Sequence, residues 1–264
     1  MVEWMILIAG CLRFITQTDQ LAHIRKRGRL RVGTPGDYHL LSYFDGENFS
    51  GYDIDIAAYL AEQLGVEVEL VLTERQALVS GLYSDRFDIA MGGIPRSVSG
   101  QYEVEQTQGY LTFRHVLMAT ADNQSRFSSL AQLNRPEVKI GVHVGQVYQT
   151  LVEQYFPAAT IVAFENYLNM PLAVDAGQID VMMAETPFAQ FYQATESPLI
   201  AIRELTPTEQ HQFSYLLPLG QQRLLNMVNL ILDDIKLKGI ERQFMVKHAL
   251  HQPFECNTPD SHSA

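Results

Sequence analysis

The sequence predicts an α/β protein of two lobes, each a central β-sheet flanked by helices. Three observations carry this expectation. Short apolar runs alternate with segments of helical spacing from Leu30 to Met91. The same alternation starts again at Lys139 and runs to Ile202. The length, 264 residues at 47% hydrophobic and 19% charged, is globular composition with room for two cores.

Taken in order, Gln20–Arg27 reads as a short helix, and Leu30 and Val32 mark a first strand. That strand breaks at Gly33-Thr34-Pro35-Gly36, a turn-forming cluster. Asp45-Gly46 is a second turn signal between extended pieces. Ile56, Tyr59, Leu60 and Leu64 follow helical spacing and Gly65 closes that helix. Asp53 is its expected N-cap, so the Asp53/Asp55 pair is read as capping rather than chemistry. Residues 66–72 alternate as a strand with one wetter face. A helix over 74–83 and a buried strand over 87–91 follow, ending in Gly92-Gly93.

His115–Ala119 is the next apolar strand. Beyond it come strands over 139–142, 160–163, 179–183 and 200–202. Helices over 146–155, 166–176 and 187–193 separate them, and Pro171 demands a kink or a late start in the second. Phe213–Pro218 is extended. Two amphipathic helices, 222–237 and 240–250, are separated by Gly239.

The formal net charge is −11, which disfavours nucleic acid and anionic membrane surfaces as partners. Cys11 and Cys256 form no metal pattern and no disulfide framework, and the eight histidines are scattered, so no metal or cofactor is expected. No apolar run is long enough for a membrane span. Trp4–Gly10 is a short apolar segment ending at Cys11 and similar to a lipoprotein cleavage box, but the residues before it lack positive charge. Export to the periplasm or envelope is the expectation, with residues 1–19 as the signal segment and Cys11 as a candidate lipid anchor.

Three phrases carry a family resemblance: Leu30–Tyr43 with its Gly36-Asp37-Tyr38 loop and Ser42-Tyr43 pair, Arg86–Ile94, and Ile179–Tyr192. In that order and spacing the chain resembles type II periplasmic solute-binding proteins of the polar amino-acid kind. The pattern is similar above all to their cyclohexadienyl (prephenate/arogenate) dehydratase branch. The resemblance implies lobe 1 at 20–116 and 214–264, lobe 2 at 117–213, and a two-stranded hinge. It further implies a small-molecule ligand, an ABC permease or membrane sensor as partner, and a monomer.

In this family an arginine takes the ligand's carboxylate, an acidic residue its ammonium and aromatic groups the rest. The arginine position falls at Gly100, and Arg96 is the candidate substitute; otherwise it is a solvated loop residue. The acidic position falls at Glu185, whose other reading is a cap on the helix begun by Thr186-Pro187. The dehydratases' catalytic glutamate falls at Phe188. Their second-lobe asparagine pair falls at His143 and Tyr148, with Gly145 kept between them. Asp37, Tyr38 and Ser42 are retained; Tyr43 is read as packing. The candidate ligand set is therefore Asp37, Tyr38, Ser42, Arg96, His143, Tyr148, Glu185 and Phe188, with no catalytic residue and no metal ligand.

These residues point to a non-catalytic extracytoplasmic protein that captures a small polar, amino-acid-like or aromatic acid solute for transport or sensing. A dehydratase with a rearranged site is the alternative; Glu185 or His143 would then donate the proton and Arg96 would hold the carboxylate. A degenerate module that binds nothing small is the third reading.

Overall fold

The computed structural model describes residues 19–144, 146–205, 209–251 and 254, so residues 1–18 of the expected signal segment, both cysteines and Gly145 lie outside the described residues. The elements begin with α1 (Gln20–Arg27), β1 (Arg29–Thr34), β2 (Asp37–Tyr38), β3 (Ser42–Phe44), β4 (Phe49–Ser50) and α2 (Tyr52–Leu64). There follow β5 (Glu67–Leu72), α3 (Leu78–Tyr83), β6 (Ile89–Pro95), β7 (Glu105–Gln106), β8 (Leu111–Phe113) and β9 (His115–Thr120). Next are α4 (Leu130–Leu133), β10 (Lys139–His143), α5 (Gln146–Tyr155), β11 (Thr160–Phe164) and α6 (Asn169–Asp175). The chain continues with β12 (Val181–Glu185), α7 (Thr186–Gln193), β13 (Leu199–Glu204), β14 (His211–Leu217), α8 (Gln222–Leu237) and α9 (Ile240–Lys247).

Contacts divide the chain into two compact units. Of the described residues, the first holds those up to 35, 53–110 and 214–241; the second holds those in 36–52, 111–213 and from 242. The expected boundaries placed 36–52, 111–116 and the last helix in lobe 1. Residues 36–52 group with the second unit because their side chains pack there: Tyr38 stacks on Tyr167 and meets Phe188 and Phe213 edge-on, while His39 stacks on Phe191.

In the first unit β1 lies between β5 and β6, parallel to both, and residues of β14 pair with β7. Phe87 is fully buried and sits where two glycines make room. A Cβ at Gly33 would lie 2.6 Å from its ring and one at Gly81 2.3 Å, so any larger residue would expel the ring. The second unit has the sheet order β11-β10-β12-β9-β13, with β10 parallel to its neighbours and β9 antiparallel to β12 and β13. Its core joins Leu117, Phe127, Ile140, Val152, Phe156 and Met183, all buried.

One device recurs in both units. Asp88, just before β6, takes the backbone N–H of Arg31 at 2.9 Å, and its own N–H donates to the Arg31 carbonyl at 2.9 Å. Asp180, just before β12, makes the same two bonds with Lys139, both at 2.9 Å. Each aspartate thereby pins the middle strand of its sheet to a parallel neighbour, β6 to β1 and β12 to β10. Arg27 and Gln20 also reach the fully buried Asp88.

Several boundaries move relative to the sequence reading. The helix expected over 74–83 opens with a 3-10 turn, Arg75–Ala77, before α3. The helix containing Pro171 takes the late start: α6 begins at Asn169, so Pro171 falls in its first turn, where a missing N–H costs no helix bond.

Candidate functional site

The chemistry of the second unit gathers at Glu185. Val181–Glu185 is a wholly buried strand, and the chain turns from it directly into α7, with Pro187 presetting the first turn. Glu185 occupies the N-cap position with extended backbone, φ −104° and ψ 158°, yet its side chain makes no capping bond. The capping alternative therefore does not describe it. Its carboxylate, in a residue only 1% exposed, accepts hydrogen bonds from the hydroxyls of Tyr148, Tyr167 and Tyr38, the last at 3.4 Å. A buried carboxylate needs such donors to offset lost hydration.

Rings surround this group. Phe188 meets Tyr167 edge-on with centroids 4.4 Å apart, and Tyr38 at 5.6 Å. Tyr38 and Tyr167 stack at 5.7 Å. Burial, then the Glu185 charge, pushes the Tyr167 hydroxyl well above its usual range, so it stays a donor. His143, at the end of β10, has its ring 5.4 Å from that of Tyr167, and its Nε2–H donates to the Glu165 carbonyl at 3.1 Å. Asp37 and Ser42 are buried on the β2–β3 hairpin, where Tyr38 pairs with Ser42 and Asp37 with Tyr43.

Six of the expected ligand residues share the second unit with Glu185: Asp37, Tyr38, Ser42, His143, Tyr148 and Phe188. The structure puts Tyr38, Tyr148 and Phe188 in direct contact with Glu185 or its tyrosine partners. Arg96 belongs to the first unit and is exposed. The turn around Gly100 is held by Gln106, which accepts from the Ser97 N–H at 2.9 Å and donates to its carbonyl at 2.6 Å. A Cβ at Gly100 would come within 2.9 Å of Ser97 Oγ.

Two residues of this cluster escaped the sequence reading. Tyr167 was folded into an expected helix; it lies in the turn between β11 and α6. His115 was read only as the start of an apolar strand. It sits directly opposite Glu185 in the β9–β12 ladder, a placement that depends on sheet register and leaves no local signal.

A second buried carboxylate lies in the first unit. Asp53 stands in the first turn of α2, but its carboxylate does not cap that helix end as expected. It accepts from the Gly93 N–H at 2.8 Å and from the hydroxyls of Tyr110 and Tyr215, each at 2.9 Å. The two tyrosine rings stack at 4.4 Å. Burial raises the Asp53 carboxyl to about 6, against the lowering effect of those three donors.

Among the described residues no cluster of His, Cys, Asp and Glu could hold a metal ion, and no helix is long and apolar enough to cross a membrane. What the Glu185 site offers chemically is an anion inside an aromatic enclosure. Such an arrangement favours a cationic nitrogen through charge, hydrogen bonding and the ring faces.

Comparisons with known proteins agree with this fold. The model of the bacterial extracellular solute-binding proteins, family 3, matches residues 30–250. A cyclohexadienyl dehydratase of Pseudomonas aeruginosa is 30% identical over 203 residues, 76% of each chain. An arginine-binding extracellular protein of Bacillus subtilis is 27% identical over 161 residues, covering 60% of this chain and 62% of its own. The crystal structure of an ancestral amino acid-binding protein, a precursor of cyclohexadienyl dehydratase, superposes with a TM-score of 0.81 at 30% identity, over 89% of this chain and 99% of that one. An amino acid ABC transporter substrate-binding protein of Streptococcus pneumoniae, bound to L-arginine, gives 0.81 at 21% identity, over 88% and 98%, a likeness of fold. With the two-lobed type II fold and a family match across most of its length, this chain belongs to the bacterial extracellular solute-binding proteins, family 3.

Proposed function

We propose that this protein is a non-catalytic extracytoplasmic binder of a small amino-acid-like solute, whose cationic nitrogen is received by Glu185, and that it serves an ABC permease or a sensor. One observation carries this reading. The Glu185 carboxylate is turned away from its own helix and into an enclosure of Tyr38, Tyr148, Tyr167 and Phe188. Of the phenol contacts, Tyr38 at 3.4 Å is the longest, and a ligand N–H would replace it at least cost. The arginine-binding relative and the ancestral amino acid-binding structure support a ligand of this class.

The dehydratase reading is favoured by the Pseudomonas relative and by the structure of an ancestral cyclohexadienyl dehydratase, 35% identical over 87% of this chain and 96% of that one with a TM-score of 0.54. Elimination of a hydroxyl needs a proton donor within hydrogen-bond reach. The ring of Phe188 cannot donate, and His143 already directs its Nε2–H to a backbone carbonyl.

The test is thermal shift of the purified protein against amino acids, prephenate, arogenate and aromatic acids, followed by turnover assays. Ligands that bind the native state raise the melting temperature by mass action. Stabilisation by a cationic or zwitterionic amino acid without turnover is the expected result. Turnover of prephenate or arogenate at an enzymatic rate would overturn the proposal.

A further inference from the structure

We propose that His115 is a ligand-contacting, specificity-determining residue of the Glu185 site, accepting a second hydrogen bond from the nitrogen group that the carboxylate holds. The inference rests on the reading of Glu185 as the ligand's anionic partner.

Register supplies the geometry. His115 and Glu185 are directly opposed in the antiparallel β9–β12 ladder, so their side chains leave the same face of the sheet as nearest cross-strand neighbours. His115 is 2% exposed, and neither of its ring nitrogens has a hydrogen-bond partner among the described residues. A polar atom buried unpaired forfeits its hydration with nothing in return, so folded proteins rarely tolerate two on one ring without a use for them.

The rings packed around His115 do not relieve that cost. Phe113 meets it edge-on at 5.4 Å, Tyr148 edge-on at 5.8 Å, and His211 lies tilted at 4.5 Å. The titratable groups facing it are Glu185 from β12, Tyr148 from α5 and His211 from β14. Its neighbour Arg114 pairs with Glu204 at 3.0 Å. Burial, then the nearby His211, lowers the His115 imidazole to about 4, which keeps it neutral and leaves one nitrogen as an acceptor.

An acceptor beside a carboxylate suits a cation with several N–H donors. A primary ammonium has three and a guanidinium five, enough to bond Glu185 and His115 together. A fully N-alkylated ammonium has none, and the site should discriminate against it.

The experiment is titration calorimetry with L-arginine and L-lysine on the wild type, His115→Phe and His115→Gln. His115→Phe removes the orphan nitrogens and keeps an aromatic ring, a larger one, at the position. It should raise or preserve the melting temperature of the free protein and weaken binding about 10-fold, the loss expected for one hydrogen bond to a charged group. His115→Gln, an uncharged donor and acceptor, should restore most of the affinity. Wild-type affinity should also fall more steeply below pH 5 than that of His115→Gln, because protonation turns the acceptor into a competing cation. Undiminished binding by His115→Phe would overturn the inference and leave the reading of Glu185 intact. If His115→Phe does not fold, identical pH profiles for wild type and His115→Gln would overturn it equally. Failure of the wild type to bind either probe would overturn both.

Discussion

Asp53 and Glu185 are both buried carboxylates bonded to tyrosine hydroxyls, one in each unit, and they are held in different ways. Asp53 takes a backbone N–H and two phenols at ordinary distances of 2.8 to 2.9 Å, and its tyrosines stack on each other. Gly93 belongs to β6 and Tyr215 to β14, so the group ties α2 to the sheet. Glu185 takes side-chain hydroxyls from Tyr38 on a hairpin, Tyr148 on a helix and Tyr167 in a turn. Backbone donors cannot leave without unmaking a strand, whereas side-chain donors can rotate away for a ligand. The same chemical pair thus builds a structural joint in one place and a candidate receptor in the other.

The largest effect is expected where the joint is broken. Asp53→Ala leaves two buried hydroxyls and an N–H unpaired, and should cost about 3 kcal/mol or more in urea denaturation. A loss under about 1 kcal/mol would place Asp53 among ordinary surface carboxylates and erase the contrast.

The joint should also show in the pH dependence. The Asp53 carboxyl sits at about 6 in the folded protein, above its ordinary 3.8, so the folded state binds the proton more tightly. Its contribution is fully present below pH 4 and lost as the pH rises through 6. Melting temperatures of wild type and Asp53→Asn, compared at pH 4.5 and 7.5, should show the wild type's advantage shrinking at the higher pH. An advantage that grows would mean the donors outweigh burial.

A null effect is expected at Phe188. Phe188→Glu sets a carboxyl among the same rings but supplies no cation for the substrate's carboxylate, because Gly100 stands where the family resemblance implies the arginine. Prephenate turnover should stay at background in the single variant, and any trace should emerge only in Phe188→Glu combined with Gly100→Arg. A spectrophotometric assay for phenylpyruvate decides between these outcomes; activity in Phe188→Glu alone would move the missing function to that one position.

Sequence alone carried most of the fold because α/β alternation is written in local pattern. Gln146–Tyr155 and Gln222–Leu237 are helices over the very spans their spacing indicates. Capping was where local reasoning failed for Asp53; for Glu185 it was only the alternative to a ligand contact. Asp53 and Glu185 both stand at helix starts, where an acidic residue ordinarily serves its own N-terminus. Each has its carboxylate taken by partners distant in sequence: Tyr215 is 162 residues from Asp53, and Tyr148 is 37 from Glu185. His115 was invisible for the same reason, since only the pairing of β9 with β12 makes it a neighbour of Glu185. Tyr38 and Glu185, expected from the family resemblance, and Tyr148, expected where the dehydratases have an asparagine, meet through hydrogen bonds to the one carboxylate.

Calorimetric titration of L-arginine into wild type and Glu185→Gln, with melting curves of both free proteins, tests the role of Glu185 most directly. The substitution keeps the shape and removes the charge; its amide nitrogen donates where a carboxylate oxygen accepted, so the phenol on that side turns to accept. Binding should weaken about 10- to 100-fold, the contribution of a charge-assisted hydrogen bond, while the melting temperature of the free protein holds or rises. Equal affinity in the two proteins, or a variant that loses stability and keeps its affinity, would contradict the assignment of Glu185 as the group that receives the ligand.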